Sequence, residues 1–270
     1  MNNLSELFYI QRALRKAKYP DYKRVSKEIA EFTKSRKDLK KILEQIKQGK
    51  PWEYICKSVE FYTIQFYINQ NVIIPRIETE KMVNLAIKKF KKEHFDTVID
   101  IGTGSGCIII ALVKSLMLPS ICKKDLTKTK FIATDSSGRA LNVAEENIKK
   151  HNLLNIIKIK KTDLIKRINL KNKSVLLMAN LPYIPQRQYE RLDESIRKYE
   201  PKSALEGGVD GNKYYKKLSE QLRTRTFKNF TLILETEESI IEETKKIFNR
   251  YNPIIVKDIY DKNRFLIMSS

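Results

Sequence analysis

Cysteine is scarce: Cys56, Cys107 and Cys122 are the only three. None forms a Cys-x-x-Cys pair, so the chain has no disulfide framework to read and no metal site is expected; a reducing, cytoplasmic setting suits it. Long hydrophobic runs are missing too. The longest, Cys107 to Val113, is far short of the roughly 20 apolar residues that span a bilayer. Charged residues stand near the N-terminus where a signal peptide needs an apolar core. Acidic residues are outnumbered, 32 Asp and Glu against 53 Lys and Arg, for a formal net charge of +21. That surplus predicts nonspecific attraction to RNA, ribosomes or other polyanions. Compositional drift towards Lys, Ile and Asn accounts for it equally well, so charge alone names no partner. At 270 residues the chain suits one large or two modest domains.

What is present centres on Val98-Ile-Asp-Ile-Gly-Thr-Gly-Ser-Gly-Cys107. A short apolar run, Thr97 to Ile101, reads as a buried strand. Gly102, Gly104 and Gly106 then alternate with Thr103 and Ser105, and a helical apolar run follows. Strand, glycine turn and helix open a nucleotide-type α/β domain. The spacing is Asp-x-Gly-x-Gly-x-Gly, not the dinucleotide Gly-x-Gly-x-x-Gly. Asp100 at the strand end disfavours a pyrophosphate and suits a ligand with an ammonium and a sulfonium, S-adenosyl-L-methionine. A glycine-rich βα turn with no ligand is the plain alternative.

Residues 1–55 read as a small helical domain. Leu4, Leu7, Phe8, Ile10 and Leu14 recur at helical spacing, then Val25, Ile29 and Phe32, then Leu39, Ile42, Leu43 and Ile46. Residues 56–75 alternate as a β-hairpin linker, with its turn expected at Asn69-Gln70-Asn71. Thr79 is a candidate N-cap for the helix that follows. Residues 76–270 then alternate strands and helices, which predicts a mostly parallel Rossmann-like sheet with helices on both faces. Phe131 to Asp135 is the second strand, and Asp135 sits where an acid would hold ribose hydroxyls. Such an acid usually lies about 20 residues past the glycine loop; the excess here points to a surface insertion at 118–129. A third strand leads to Thr162-Asp163-Leu164. A fourth, Ser174 to Ala179, runs into Asn180-Leu181-Pro182-Tyr183.

That last turn has specific chemistry. The Asn180 carbonyl and a backbone carbonyl beside Pro182 can accept both hydrogens of a planar amino group, and Tyr183 can stack on it. A Pro-rich turn with a core tyrosine is the bland reading. Beside a glycine loop, the turn instead points to amino-group methyltransferases acting on adenine, cytosine or glutamine amide, with Asn180, Pro182 and Tyr183 as catalytic candidates.

From about residue 49 to the C-terminus the chain resembles the release-factor glutamine methyltransferase family, within the class I S-adenosylmethionine-dependent methyltransferases. The resemblance rests on Gly49-Lys-Pro-Trp-Glu-Tyr-Ile55, Ile74-Pro-Arg-Ile-Glu-Thr-Glu80, Asp100 to Gly106, Ala133-Thr-Asp135, Asn180 to Ile184, Tyr199-Glu-Pro-Lys-Ser-Ala-Leu-Glu-Gly-Gly-Val-Asp-Gly211 and Asp261-Lys-Asn-Arg-Phe265. It implies methyl transfer to the glutamine of the Gly-Gly-Gln loop of a peptide-chain release factor. Cofactor contacts are implied at Asp100, Gly102 to Gly106, Asp135, Asp163, Leu164 and Asn180, substrate contacts at Asn180, Leu181, Pro182 and Tyr183, and docking through the N-terminal helices. Two departures stand out. Leu181 replaces the family's usual proline, giving the form familiar from rRNA adenine dimethyltransferases, and Thr236-Glu237 stands where the family tends to Ile-Gly. Glutamine methylation of a ribosomal protein, exocyclic adenine methylation of rRNA or DNA, and a degenerate binding module remain the competing readings.

Overall fold

A computed structural model describes residues 4–270. Four helices come first: α1 (Leu4–Lys16), α2 (Tyr22–Phe32), α3 (Arg36–Lys47) and the short α4 (Trp52–Cys56). Their apolar stripes meet in a core of their own built from Ile10, Leu14, Val25, Ile29, Leu39, Ile42, Ile46 and Trp52. Trp52 is satisfied at both polar ends, its Nε1 donating to Glu28 (2.7 Å) and its backbone N–H to the Tyr19 hydroxyl (2.7 Å).

The hairpin is shorter than expected and turns elsewhere. Strands β1 (Ser58–Phe61) and β2 (Ile64–Tyr67) pair antiparallel around Tyr62-Thr63. Both turn residues have positive φ, 53° and 59°, the geometry of a type I′ turn that normally selects Asn or Gly. Tertiary bonds hold it instead: Glu80 accepts from the Tyr62 N–H (2.7 Å), and the Tyr62 hydroxyl donates to Asn84 (2.8 Å). Asn69 to Asn71 form a second turn beyond the hairpin, and Val72 to Ile74 pair with no strand.

Next come α5 (Glu80–Lys92), β3 (Thr97–Ile101), α6 (Cys107–Leu116), β4 (Lys130–Asp135), α7 (Gly138–Lys150), β5 (Ile157–Lys161) and β6 (Ser174–Asn180). After the short α8 (Gln186–Tyr189) and α9 (Glu194–Tyr199) follow α10 (Lys213–Arg223), β7 (Asn229–Glu235), α11 (Ile241–Ile247), β8 (Ile254–Lys257) and β9 (Asn263–Ser269). The seven-stranded sheet runs β5-β4-β3-β6-β7-β9-β8, with β9 alone antiparallel. Its central strands are buried on both faces, so they read as continuous apolar runs rather than alternating ones. Val98, Leu176 and Met178 pack on the side of α5 and α6; Ile99, Ile101, Val175 and Leu177 pack towards α10 and α11.

Strand order reverses between β3 and β6, which opens a crevice at their carboxyl ends. The insertion at 118–129 lies at the opposite, amino end, where Thr129 bonds the Phe95 carbonyl just ahead of β3 (2.8 Å). Lys124 from this insertion donates to the carbonyls of Phe90 (2.5 Å) and Glu93 (2.6 Å), completing the last turn of α5.

Candidate active site

The glycine loop leaves β3 with Gly102, Gly104 and Gly106 all at positive φ, a path that side chains with a Cβ resist. Gly104 is also open above, with no atom within 4 Å of where a Cβ would stand. Beneath the loop, Asp100 is fully buried and accepts from the Thr103 hydroxyl (2.6 Å), while its other oxygen has no partner. Burial pushes this carboxyl up to about 7. Asp100 and Thr103 therefore underpin the loop, whereas Gly102 and Gly104 face the crevice.

Across the loop, Asp135 at the end of β4 accepts from the Gly104 N–H (3.1 Å) and the Ser137 N–H (2.8 Å). Burial raises its pKa and these backbone donors oppose the rise. The cavity between these groups is walled by Ala140, Asp163, Leu164, Tyr214, Val72 and Ile73. Asp163 is paired with Lys217. Thr103, Ser105, Gly106 and Tyr183 stand outside this wall.

A second cavity of about 210 Å³ adjoins the first, lined by Arg76, Tyr183, Ile184, Leu192, Ile196 and Leu205. The two share Ile73, Asn180, Leu181 and Ala204. Asn180 thus stands on the partition. Its Nδ2 donates to the Thr79 hydroxyl (3.2 Å), which leaves Oδ1 for a donor coming from the cavity. Thr79 is not the helix cap its position suggests: it lies in a tight turn at αR geometry and makes no cap bond. Leu181 is buried and packs over Gly102, within 3.1 Å of a Cβ built there, so the departure from proline ties the turn to the glycine loop. Tyr183 is carried by the turn onto the wall of the second cavity, and burial followed by the nearby Glu235 raises its hydroxyl pKa.

Comparison with known proteins fits this geometry. A family model, the methyltransferase small domain, matches residues 76–198. A release factor glutamine methyltransferase of Dictyoglomus turgidum is 35% identical over 225 residues, covering 83% of this chain and 76% of the relative. One from Flavobacterium psychrophilum is 31% identical, covering 83% and 77%. The chain belongs to the release factor glutamine methyltransferase family. Among solved structures, the hMettl16 catalytic domain in complex with a MAT2A 3'UTR hairpin superposes with a TM-score of 0.50 at 16% identity, over 76% of this chain and 74% of that one. That likeness establishes the Rossmann-like methyltransferase fold.

The family's two long motifs meet at the site. Arg76 pairs with the buried Glu200 (2.6 Å), which also accepts from the Ile74 N–H (3.3 Å). The segment 205–211 lies backbone to backbone on the Asn180 turn: Ile184 N–H bonds Leu205 O and Gly207 N–H bonds Ile184 O, each at 2.9 Å. A Cβ on Gly207 would stand 2.7 Å from Pro182 O, and one on Gly211 would stand 2.3 Å from Tyr183 O. Sequence reasoning missed these clamps, along with Glu235, which pairs with Asn180 across β6 and β7. It also missed Asn147. This buried residue of α7 bonds both Tyr67 N–H (2.7 Å) and Tyr67 O (2.8 Å) of the hairpin, and Ser105 O of the glycine loop (2.8 Å). A lone Asn among the apolar positions of a helix was the available signal. Among the described residues, no group of His, Cys, Asp or Glu is arranged to hold a metal, and no helix is long and apolar enough to cross a membrane.

Proposed function

We propose that the chain transfers a methyl group from S-adenosyl-L-methionine to the side-chain amide nitrogen of the glutamine in the Gly-Gly-Gln loop of a peptide-chain release factor. The observation that carries this reading is the place of Asn180: on the wall common to two cavities, with its –NH₂ committed inward to Thr79. A side chain entering the second cavity then meets a carbonyl, the right partner for an amide –NH₂ and the wrong one for a carbonyl or carboxylate.

The cavity beside the glycine loop suits the cofactor. Open space above Gly104 admits close approach, Asp135 offers carboxylate oxygens to ribose hydroxyls, and Leu164 and Ala140 give a flat apolar wall for a base. When bound, S-adenosylmethionine supplies an electrophilic methyl. Asn180 Oδ1 and the turn carbonyls orient the amide nitrogen, whose lone pair is otherwise delocalised, and they take up positive charge developing on its hydrogens. Tyr183 flanks the amide plane. Residues 1–55, 56–75 and 76–270 serve as release-factor docking domain, hairpin linker and catalytic domain. In calorimetry, wild-type protein should bind S-adenosylmethionine and Asp135→Ala should bind it at least about tenfold more weakly, the loss expected for hydrogen bonds to a charged group. Equal affinities would remove Asp135 from the cofactor site.

A further inference from the structure

Asn180 can serve only one way round. If its amide were flipped, its –NH₂ would oppose the –NH₂ of the incoming glutamine, and a donor facing a donor is repulsive. Something must therefore define the orientation, and Thr79 by itself does not. A hydroxyl both donates and accepts, so Thr79 could hold either face of the Asn180 amide.

The residue behind Thr79 breaks this symmetry. Glu235 ends β7 directly beside Asn180 in the sheet register, is 1% exposed, and has one carboxylate oxygen, Oε2, without a partner. The Thr79 hydroxyl, bonded to Asn180 Nδ2 in front of it, is near enough to hold the Glu235 carboxyl down, and Oε2 is left open to receive its hydrogen. An ionised carboxylate only accepts, so it claims the hydroxyl hydrogen and leaves Thr79 an oxygen lone pair to receive Asn180 Nδ2. We propose that Glu235 and Thr79 are positioning residues that act in series to hold the Asn180 amide with its carbonyl facing the substrate. The inference rests on the glutamine-methylation reading. It also gives the chain a second effect: each bond polarises the next, so the Asn180 oxygen becomes a stronger acceptor.

The relay has a polarity that acid reverses. A protonated Glu235 can donate to Thr79, which then donates to Asn180 Oδ1 and turns the amide around. Burial raises the Glu235 carboxyl to about 7; the Thr79 hydroxyl and Arg264 on β9 oppose the rise, and Glu78 and Asp258 add to it. Arg264 is itself shared with Asp258 (3.3 Å).

Two measurements test the relay, one of them independent of methyl transfer. In ¹⁵N-labelled protein, the Asn180 side-chain amide protons should exchange slowly with solvent in wild type and Thr79→Ser, and rapidly in Thr79→Val. Slow exchange in Thr79→Val would overturn the relay, and the result stands even if no release factor is methylated, an outcome that would count against the parent reading alone. In methyl-transfer kinetics, Thr79→Val should lower kcat on the order of 100-fold, the scale for losing one preorganised site contact. KM for release factor and affinity for S-adenosylmethionine should move less than about threefold, and Thr79→Ser should restore kcat. Wild-type kcat should rise with pH through about 7, and Glu235→Gln should lack that limb. Unchanged kcat in Thr79→Val, or an acid limb persisting in Glu235→Gln, would overturn the proposal.

Discussion

Asp100 and Glu235 each keep a buried carboxyl oxygen without a hydrogen-bond partner, and both lie beside the site. Asp100 and Glu235 are each pushed up to about 7 by burial. The sign of the consequence follows from linkage. As pH rises from about 4 to 7, the unfolded chain releases these protons while the folded chain holds them, so stability falls over that window and levels off above it. Glu235→Gln removes one of the two contributions. In urea titrations the variant should therefore gain on wild type between pH 5 and pH 8, by up to about 3 kcal/mol. A gap between the two proteins that does not change with pH would mean that Glu235 is ionised in the fold at an ordinary pKa. Asn180→Ala probes the opposite quality, function without stability: methyl transfer should fall at least about 100-fold while S-adenosylmethionine affinity stays within about threefold. Parallel losses in both would shift Asn180 from the substrate to the fold.

At the scale of elements, the site is a set of turns held by other turns. Gly207 carries no positive φ, yet a side chain there would meet Gly211 O at 2.5 Å and Tyr183 Cα at 2.8 Å, all backbone that cannot rotate away. Gly207→Ala should displace the Asn180 turn, costing about 1–3 kcal/mol in a denaturant titration and most of the methyl transfer. Retained activity would show that the clamp is looser than its contacts imply. Asn147→Ala removes three bonds that tie the hairpin to the glycine loop. It should cost about 2–4 kcal/mol, since Tyr67 and Ser105 lose a buried partner. A loss under about 0.5 kcal/mol would mean that water replaces the amide.

This is also the scale at which the sequence was least legible. Strands β3 and β6 were readable because a doubly buried strand must be an unbroken apolar run. The hairpin turn was not, because Tyr62 and Thr63 carry no turn chemistry and are held by Glu80 and Asn84, distant along the chain. Thr79 was misread for a related reason: Thr before a helix is a local signal, whereas its real partner is 101 residues away. Asn180, Gly104 and Asp135 could be singled out because their chemistry is carried by residue type and spacing. The residues that orient them could not, since register across β6 and β7 has no local signature.

For the molecule as a whole, the family relationship, the sheet order and the paired cavities converge on one reaction, while the net charge of +21 by itself names no partner. Leu181 no longer argues for RNA, because its side chain packs on Gly102. The decisive measurement offers the protein labelled S-adenosylmethionine together with release factor, release factor lacking the loop glutamine, and naked rRNA. The account predicts label on release factor alone, lost when the glutamine is replaced by alanine. Label on rRNA, or on the release factor without its glutamine, would contradict it.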